Sequence, residues 1–590
     1  MLLTGILIFN LYYLQISCFS TYHNKSNFNR IKFISVPPTR GTILDRNGIV
    51  LAFNKIIYQL EINLKQVENI DQTINELKDL LDFSEEDILF FEKEKKKSNY
   101  LNNVLIKSEL TDIQYAKFFL NQYRFPGVSI KNYQRRYYPY GSDLAHVIGY
   151  ISKISYSEFK NLKYKKEFLD YFKNQEIGKL GIEKFYEQKL HGNPGFKEVE
   201  INSRGKIIRQ LRFFPPKSGK NITLTLDLNL QKYIKRLVSS MRAAVVVLDP
   251  RDGGILALVS NPSYDPNIFI NGVSNKKYLK LIHDTNRPFI NRVTQGIYPP
   301  ASTIKPYIII SALNAGIINT NFFLFDPGWW KLPGSKKTYR DWKKWGHGYL
   351  NITKALEESA DTFFYQVAYN MGIDRLSDWM KKFGYGKLTG IDLLEENTGI
   401  MPDREWKTKN VKQPWYQGDT ISVGIGQGYW TATPIQISKA LMTLVNNGLV
   451  RTPHLLSFIQ DNNHATTYYN HPTYIQIGDS RAIFWDIVKN GMYGVANKSN
   501  GTAYKNFYDA PYKVAAKSGT AQVFSLQPYE IYDPEKVSEK FRDHKLMTAF
   551  APFEKPSVCI VLILENGEEH ISPGTIVRKI LDYILLNHHN

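Results

Sequence analysis

Cysteine is nearly missing from this chain of 590 residues: Cys18 and Cys559 stand near opposite ends. Two such residues build neither a disulfide framework nor a CxxC metal site, so the core must come from apolar burial, for which the length is ample. Long apolar runs are scarce too. The one candidate, MLLTGILIFNLYYLQISCF, is apolar from Met1 to about Phe19 and is interrupted by Asn10 and Gln15. A spanning helix needs about 20 apolar residues, so this run is borderline. No basic stretch precedes it and no A-x-A site follows it, which argues against a cleaved leader. Lys25, Arg30 and Lys32 come after it, which by charge alone favours the reverse orientation. The expectation is a membrane anchor over residues 1–20 whose cytoplasmic start is short or missing.

Other absences exclude whole classes. The net charge is +20, spread along the chain, which suits nucleic acid, an anionic membrane surface or an acidic polymer. Zinc-finger spacing, an RRM signature and a basic-helix repeat are all lacking, so the expectation is no nucleic acid partner. No repeat occurs at solenoid periods. Hydrophobic residues at 43% and charged residues at 22% describe an ordinary folded protein.

What is present divides in two. SVPPTRGTILDRNGIVLAFN predicts an extended segment, a turn at Asn47-Gly48 and a strand. Residues 65–125 are rich in helix formers, and FEKEKKKS within them reads as a solvated helix face or loop. Glycine, proline and polar punctuation up to residue 215 predict a mixed α+β region with several loops. Pro215-Pro216 and Ser218-Gly219 mark a boundary near 213–220, giving an expected pedestal over 21–215 and a second domain over 216–590. In that second domain Ala243–Leu248 and Ile255–Ser260 predict a hairpin with a longer turn. Helical stretches are expected from Ser302, over 352–371 and over 433–447. YKVAAKSGTAQVF, HKLMTAFAPF and SVCIVLILEN predict three late strands. Strands first and last with helices between them point to an antiparallel sheet flanked by helices, an α+β fold.

Three short motifs carry chemistry. YPPASTIKPY sets Ser302 and Lys305 three positions apart at a helix start, where both face the same way. By itself S-x-x-K says little. EESADTFFYQ supplies Ser359-Ala360-Asp361 at an inter-helix turn, and AAKSGTAQ supplies Lys517-Ser518-Gly519-Thr520 on a strand. The three in this order form the signature of serine acyl-transfer sites in β-lactamases and penicillin-binding enzymes. Residue chemistry then assigns roles. Ser302 is the nucleophile, at a helix N-terminus whose N–H groups favour an oxyanion. Lys305 is the general base once desolvation and neighbouring donors lower its pKa. Ser359 relays a proton between Lys305 and the leaving amine, and Asp361 orients Lys305 or accepts from a substrate amide. Lys517 and Ser518 suit a substrate carboxylate or carbonyl, while Gly519 lets an edge strand be approached closely. The N–H groups of Ser302 and Thr520 make the expected oxyanion hole. The plain alternatives are a helix-capping Asp361 and a solvated edge-strand Lys517.

With these motifs quoted, the chain resembles the class B penicillin-binding proteins, and among them the cell-elongation enzymes. The likeness spans nearly the whole length. It rests on RGTILDRNG, RRYYPYG, GKLGIE, YDPN, TQGIYPPASTIKPY, DPGWWKLPGSKKTYRDWKKWGHG, VGIGQGYWTATPIQ and AAKSGTAQVF. The resemblance implies a pedestal of the dimerisation type and a transpeptidase domain with a β-lactamase-like fold. It implies D,D-transpeptidation through a Ser302 acyl-enzyme, giving 4→3 crosslinks during lateral wall growth, and inhibition by β-lactams. Implied partners are peptidoglycan stem peptides and a membrane glycan polymerase of the elongation complex. The implied location is the bacterial inner membrane, single pass, with the catalytic domain in the periplasm. Some members of this family bind zinc, and Asp326, Asp341 and His347 fall at matching places; the cysteine position falls on Ala360, so the expectation is no required metal.

Three rivals share the serine site. A β-lactamase needs a placed deacylating base, and no trustworthy glutamate loop lies between Ser359 and Lys517. A D,D-carboxypeptidase differs only in its acceptor. A β-lactam sensor or scaffold needs a signalling domain, and no H-E-x-x-H motif is present.

Overall fold

The computed structural model describes residues 2–20, 30–97, 103–162, 171, 176–202, 207–270, 275–461, 463–469, 474–481, 483–523, 537–567 and 571–586. The apolar start forms a helix, Leu2–Tyr12, continued by a π-helical turn, Tyr13–Ser17, with Leu3, Leu7 and Phe9 exposed. No helix among the described residues is long and apolar enough to cross a membrane. The expected anchor over 1–20 is therefore not shown, since an 11-residue helix falls short of the bilayer core.

The N-terminal half is built on long antiparallel strands. Val50–Ile62 pairs with Val128–Tyr137 along ten residue pairs and with Val104–Lys107 at one end. Helices Ile70–Leu81, Glu85–Lys97 and Asp112–Asn121 close over them, burying Ile74, Leu77, Phe91 and Phe118 against Leu60, Ile62 and Ile106. Their starts follow local chemistry: Asn69 accepts from the Gln72 N–H, and Thr111 with Gln114 forms a capping box. The charged run lies on the helix Glu85–Lys97, as a solvated face. Ile31–Val36, Gly195–Ile201 and Ile207–Phe214 make a separate three-stranded antiparallel sheet. The two halves interleave, because Asn221–Leu224 pairs on one side with Ile43–Leu44 and on the other with Leu456–Gln460.

The C-terminal half centres on a five-stranded antiparallel sheet. Its elements are α1 (Leu228–Leu237), β1 (Ala243–Leu248), β2 (Ile255–Asn261), α2 (Lys305–Asn314), α3 (Asp361–Phe383), α4 (Pro434–Val445), α5 (Phe484–Asn497), β3 (Ala515–Ala521), β4 (His544–Ala551), β5 (Val558–Leu564) and α6 (Pro573–Leu586). The strand order is β2-β1-β5-β4-β3, so β3 is outermost. The period-2 alternation of strands sends Ala244, Val246, Val561 and Ile563 to one face and Val245, Val247, Ile560 and Leu562 to the other. Helices cover both faces, with α1 and α6 on the second, which is why these strands read as unbroken apolar runs. α2 is buried on nearly every side, as its KPYIIISALN composition demands.

The helix expected over 352–371 is two. Ile352–Glu357 stops, Ser359 takes a left-handed φ of 57°, and α3 restarts at Asp361. The stretch from Ser302 also begins differently: Ala301–Ile304 is a 3₁₀ turn, and regular α-helix starts at Lys305 with Pro306 in its first turn.

Candidate active site

Ser302 sits in that 3₁₀ turn, half-buried, at the entry to α2. Its Oγ has no hydrogen-bond partner among the described residues. The turn is strained, because Ala301 holds a φ of 49° without being glycine. It is held by the Ala301 N–H, which donates to Gly426 O at 2.9 Å. One turn on, Lys305 is fully buried and its Nζ donates to Asp361 Oδ1 at 2.6 Å, Ser359 O at 2.8 Å and Ser359 Oγ at 3.2 Å. The ring of Phe364 lies under the same ammonium, 5.0 Å from its centroid. Nothing in the motif spelling marked Phe364 for this place.

Lys517 arrives from β3 on the opposite side. It is fully buried, and its Nζ donates to Ser359 Oγ at 2.8 Å and to Ser518 O at 3.1 Å. One serine hydroxyl thus joins two lysines from segments 212 positions apart. Burial drives the Lys517 pKa well below the usual lysine range; the Lys305 charge adds to this, and Asp361 opposes it. The solvated-charge reading of Lys517 fails on burial. The helix-cap reading of Asp361 fails on direction: Ala360 is the N-cap, and the Asp361 carboxylate turns to Lys305.

Gly519 explains how strand and nucleophile turn meet. A Cβ there would lie 3.1 Å from Thr303 Cγ2 and 3.5 Å from Ala301 Cβ, so β3 and the Ser302 turn already pack closely and a side chain would need the Thr303 methyl to give way. Ser518 Oγ shares a hydrogen bond with Thr502 Oγ1 at 2.8 Å, a partner sequence reasoning missed, and Thr520 is exposed beside it.

Asp326, Asp341 and His347 are all buried, with ligand-type atoms within 4.8 Å of one another. Much of their hydrogen bonding is met by protein, although His347 Nε2 is buried without a hydrogen-bond partner, 3.8 Å from Glu358 Oε2. Asp326 Oδ2 accepts from the His347 backbone N–H at 3.0 Å and lies 2.6 Å from His347 Nδ1. Asp341 Oδ2 accepts from the Thr362 N–H at 3.1 Å, capping α3 where Ala360 has no side chain to do so. Burial, then Asp361, pushes the Asp341 carboxyl up. A structural zinc wants four ligands, and the fourth place is the methyl of Ala360, fully buried. Asp326, Asp341 and His347 alone supply three of the four ligands a structural zinc takes.

Comparison with known proteins identifies the family. Residues 243–582 match the family model of the penicillin binding protein transpeptidase domain, and residues 35–224 match that of the penicillin-binding protein dimerisation domain. The chain is 58% identical over 590 residues to the peptidoglycan D,D-transpeptidase MrdA of Escherichia coli, covering all of this chain and 93% of that protein. It is 49% identical to the protein of the same name in Haemophilus influenzae, over 99% of this chain and 90% of that one. Among solved structures, PBP2 of Helicobacter pylori in complex with MreC matches with a TM-score of 0.81 at 30% identity, over 95% of this chain and 99% of that one. PBP2 of Pseudomonas aeruginosa matches with a TM-score of 0.71 at 32% identity, over 95% of this chain and 98% of that one. The chain belongs to the penicillin-binding protein family, among the members that join a dimerisation domain to a transpeptidase domain.

Proposed function

We propose that the chain is a serine D,D-transpeptidase of peptidoglycan, acting in lateral wall elongation and inhibited by β-lactams. The observation that carries this reading is the convergence of Lys305, Ser359, Asp361 and Lys517 on one buried cluster beside the Ser302 turn. In the acylation step Lys305 acts in its neutral form: Ser302 Oγ bonds to the penultimate D-alanine carbonyl carbon and its proton passes to the free Lys305 amine. The oxyanion rests on the Ser302 and Thr520 N–H groups. The C–N bond to the terminal D-alanine then breaks, and the leaving amine takes a proton by way of Ser359, which is bonded to both lysines. Lys517 and Ser518 receive the substrate carboxylate. An amine at position 3 of a neighbouring stem attacks the ester, regenerates Ser302 and leaves a 4→3 crosslink.

The division of labour proposed is an anchor over 1–20, a pedestal over 21–215 and the transpeptidase over 216–590. Support for the anchor is the apolar, exposed surface of the first helix. The location proposed with it is the inner membrane, with the active site in the periplasm. The partner proposed is a membrane glycan polymerase of the elongation complex, supported by a structural relative described as a peptidoglycan synthase complex coordinating polymerization and crosslinking. The proposal requires no metal.

The test is intact mass after exposure to penicillin. Wild type gains one adduct and Ser302→Ala gains none; equal adducts on both would remove Ser302 from its role. Feeding donor and acceptor strands then separates the rivals: dimeric muropeptides mark a transpeptidase, and trimmed monomers alone a carboxypeptidase.

A further inference from the structure

The turn at 424–428, between the second and third motifs, touches both sides of the active-site cleft. Gly426 O accepts from the Ala301 N–H at 2.9 Å, which holds the strained nucleophile turn. The next residue, Gln427, reaches the other way and its Nε2 donates to Thr520 O at 3.2 Å. The turn itself is stiff. Gly426 N–H and Gln427 N–H donate to Val423 O at 2.9 Å and Ser422 O at 3.0 Å. Gly426 has a φ of 75°, and a Cβ on it would fall 2.3 Å from Ala301 O.

The Gln427 bond also orients Thr520. In an antiparallel strand the N–H and C=O of one residue point to the same side. Thr520 lies opposite Lys545 on β4, and its carbonyl is taken by Gln427 instead of by β4. Its N–H therefore faces the same outer edge, toward the cleft. Ser518, two residues earlier, behaves alike: its carbonyl accepts from Lys517 Nζ. One five-residue turn thus fixes the nucleophile side through Gly426 and the β3 side through Gln427.

We propose that Gln427 is a positioning residue for acylation: its side-chain amide clamps the Thr520 peptide so that the Thr520 and Ser302 N–H groups converge on one oxyanion. This rests on the transpeptidase reading above. Gln427 contacts no reacting atom in this role, and it sets the distance between two groups that do. Small displacements of such donors cost rate, because the oxyanion forms only in the transition state.

The test uses Gln427→Glu and Gln427→Ala in the full chain, following acylation by a fluorescent penicillin in stopped flow. Saturation separates the dissociation constant of the first complex from the acylation rate constant. Glutamate has the shape of glutamine but offers a carboxylate to the Thr520 carbonyl, so it must lose the clamp. The expected result is an acylation rate constant about tenfold lower in Gln427→Ala, lower still in Gln427→Glu, with the dissociation constant moved less than about twofold and the melting temperature unchanged. A Gln427→Glu variant acylating at the wild-type rate overturns the proposal. So does a loss in Gln427→Ala confined to the dissociation constant, which would make Gln427 a substrate contact. Should either variant melt early, the other is read against it, and early melting in both with normal acylation of the folded fraction also overturns it. Failure of wild type to form any adduct would instead sink the transpeptidase reading.

Discussion

Two of the buried ionic clusters among the described residues differ in their charge counts. In the N-terminal half, Arg40 donates to Glu183 Oε2 at 2.7 Å and to Glu187 Oε2 at 2.6 Å, while Arg136 donates to Glu183 Oε1 at 2.6 Å. Tyr138 and Tyr171 donate to the same carboxylates. Two guanidinium groups meet two carboxylates, and each charge is answered. Burial alone would push the Arg40 pKa down, but Glu183 and Glu187 more than reverse it; burial would likewise push the Glu187 carboxyl up, and Arg40 brings it below its usual range. In the active site two lysines share one carboxylate, Asp361. Lys305 has that carboxylate as its direct partner, and Lys517 has none and is driven toward losing its proton. A balanced buried cluster holds segments together; an unbalanced one has a proton to move.

The contrast can be broken from either side. The largest effect is expected from Lys305→Met, which removes the base and leaves the packing: penicillin acylation falls by about a thousandfold or more, with the melting temperature within a few degrees of wild type. A variant acylating within tenfold of wild type would show that another group takes the Ser302 proton. Glu183→Gln should do the reverse. It leaves Arg40 and Arg136 buried without their shared partner and costs about 3 kcal/mol of stability, read by denaturant unfolding, while acylation per folded molecule is nearly unchanged. If stability holds and acylation drops, the N-terminal cluster belongs to the catalytic apparatus.

The smallest effect sharpens the comparison through pH. Burial holds the Lys517 pKa well below the usual lysine range, so its ammonium is lost as pH rises through that lowered pKa, and with it the attraction for a substrate carboxylate. Penicillin's dissociation constant should therefore climb on the alkaline side, beginning below the usual lysine range. Asp361 opposes the shift, so Asp361→Asn lowers the Lys517 pKa further and moves that climb to lower pH. A limb that stays in place, or moves to higher pH, would deny the coupling between these groups.

Much of the site could be read along the chain because each motif spells its local structure. Pro299-Pro300 before Ser302 announces a turn into a helix, and AAKSGTA alternates as a strand does. The glycine at 519 signals close approach before any neighbour is known. Other parts were not legible. The helical pattern runs on through Glu358 and hides the break that turns the Ser359 carbonyl and hydroxyl toward Lys305. Asp326, Asp341 and His347 raised a metal only through the family resemblance; that Asp341 caps α3 and that Asp326 pairs with His347 is visible only in the fold. The first apolar run was borderline for a membrane by length, and backbone geometry ends its α-helical part at Tyr12. Gln427 carries no signal beyond the glycines around it.

By itself the sequence determined the first hairpin and the three late strands of the second half, an antiparallel sheet flanked by helices, and the identity of the groups able to do acyl transfer. These follow from periodicity and side-chain chemistry, which are local properties. Only the tertiary structure decided which ammonium is answered by a carboxylate and which is not, and which carbonyl of the outer strand faces the cleft. Those facts depend on distances between groups such as Ser359 and Lys517, 158 positions apart. The field at a buried charge is set by its neighbours in space, and chain order does not record them.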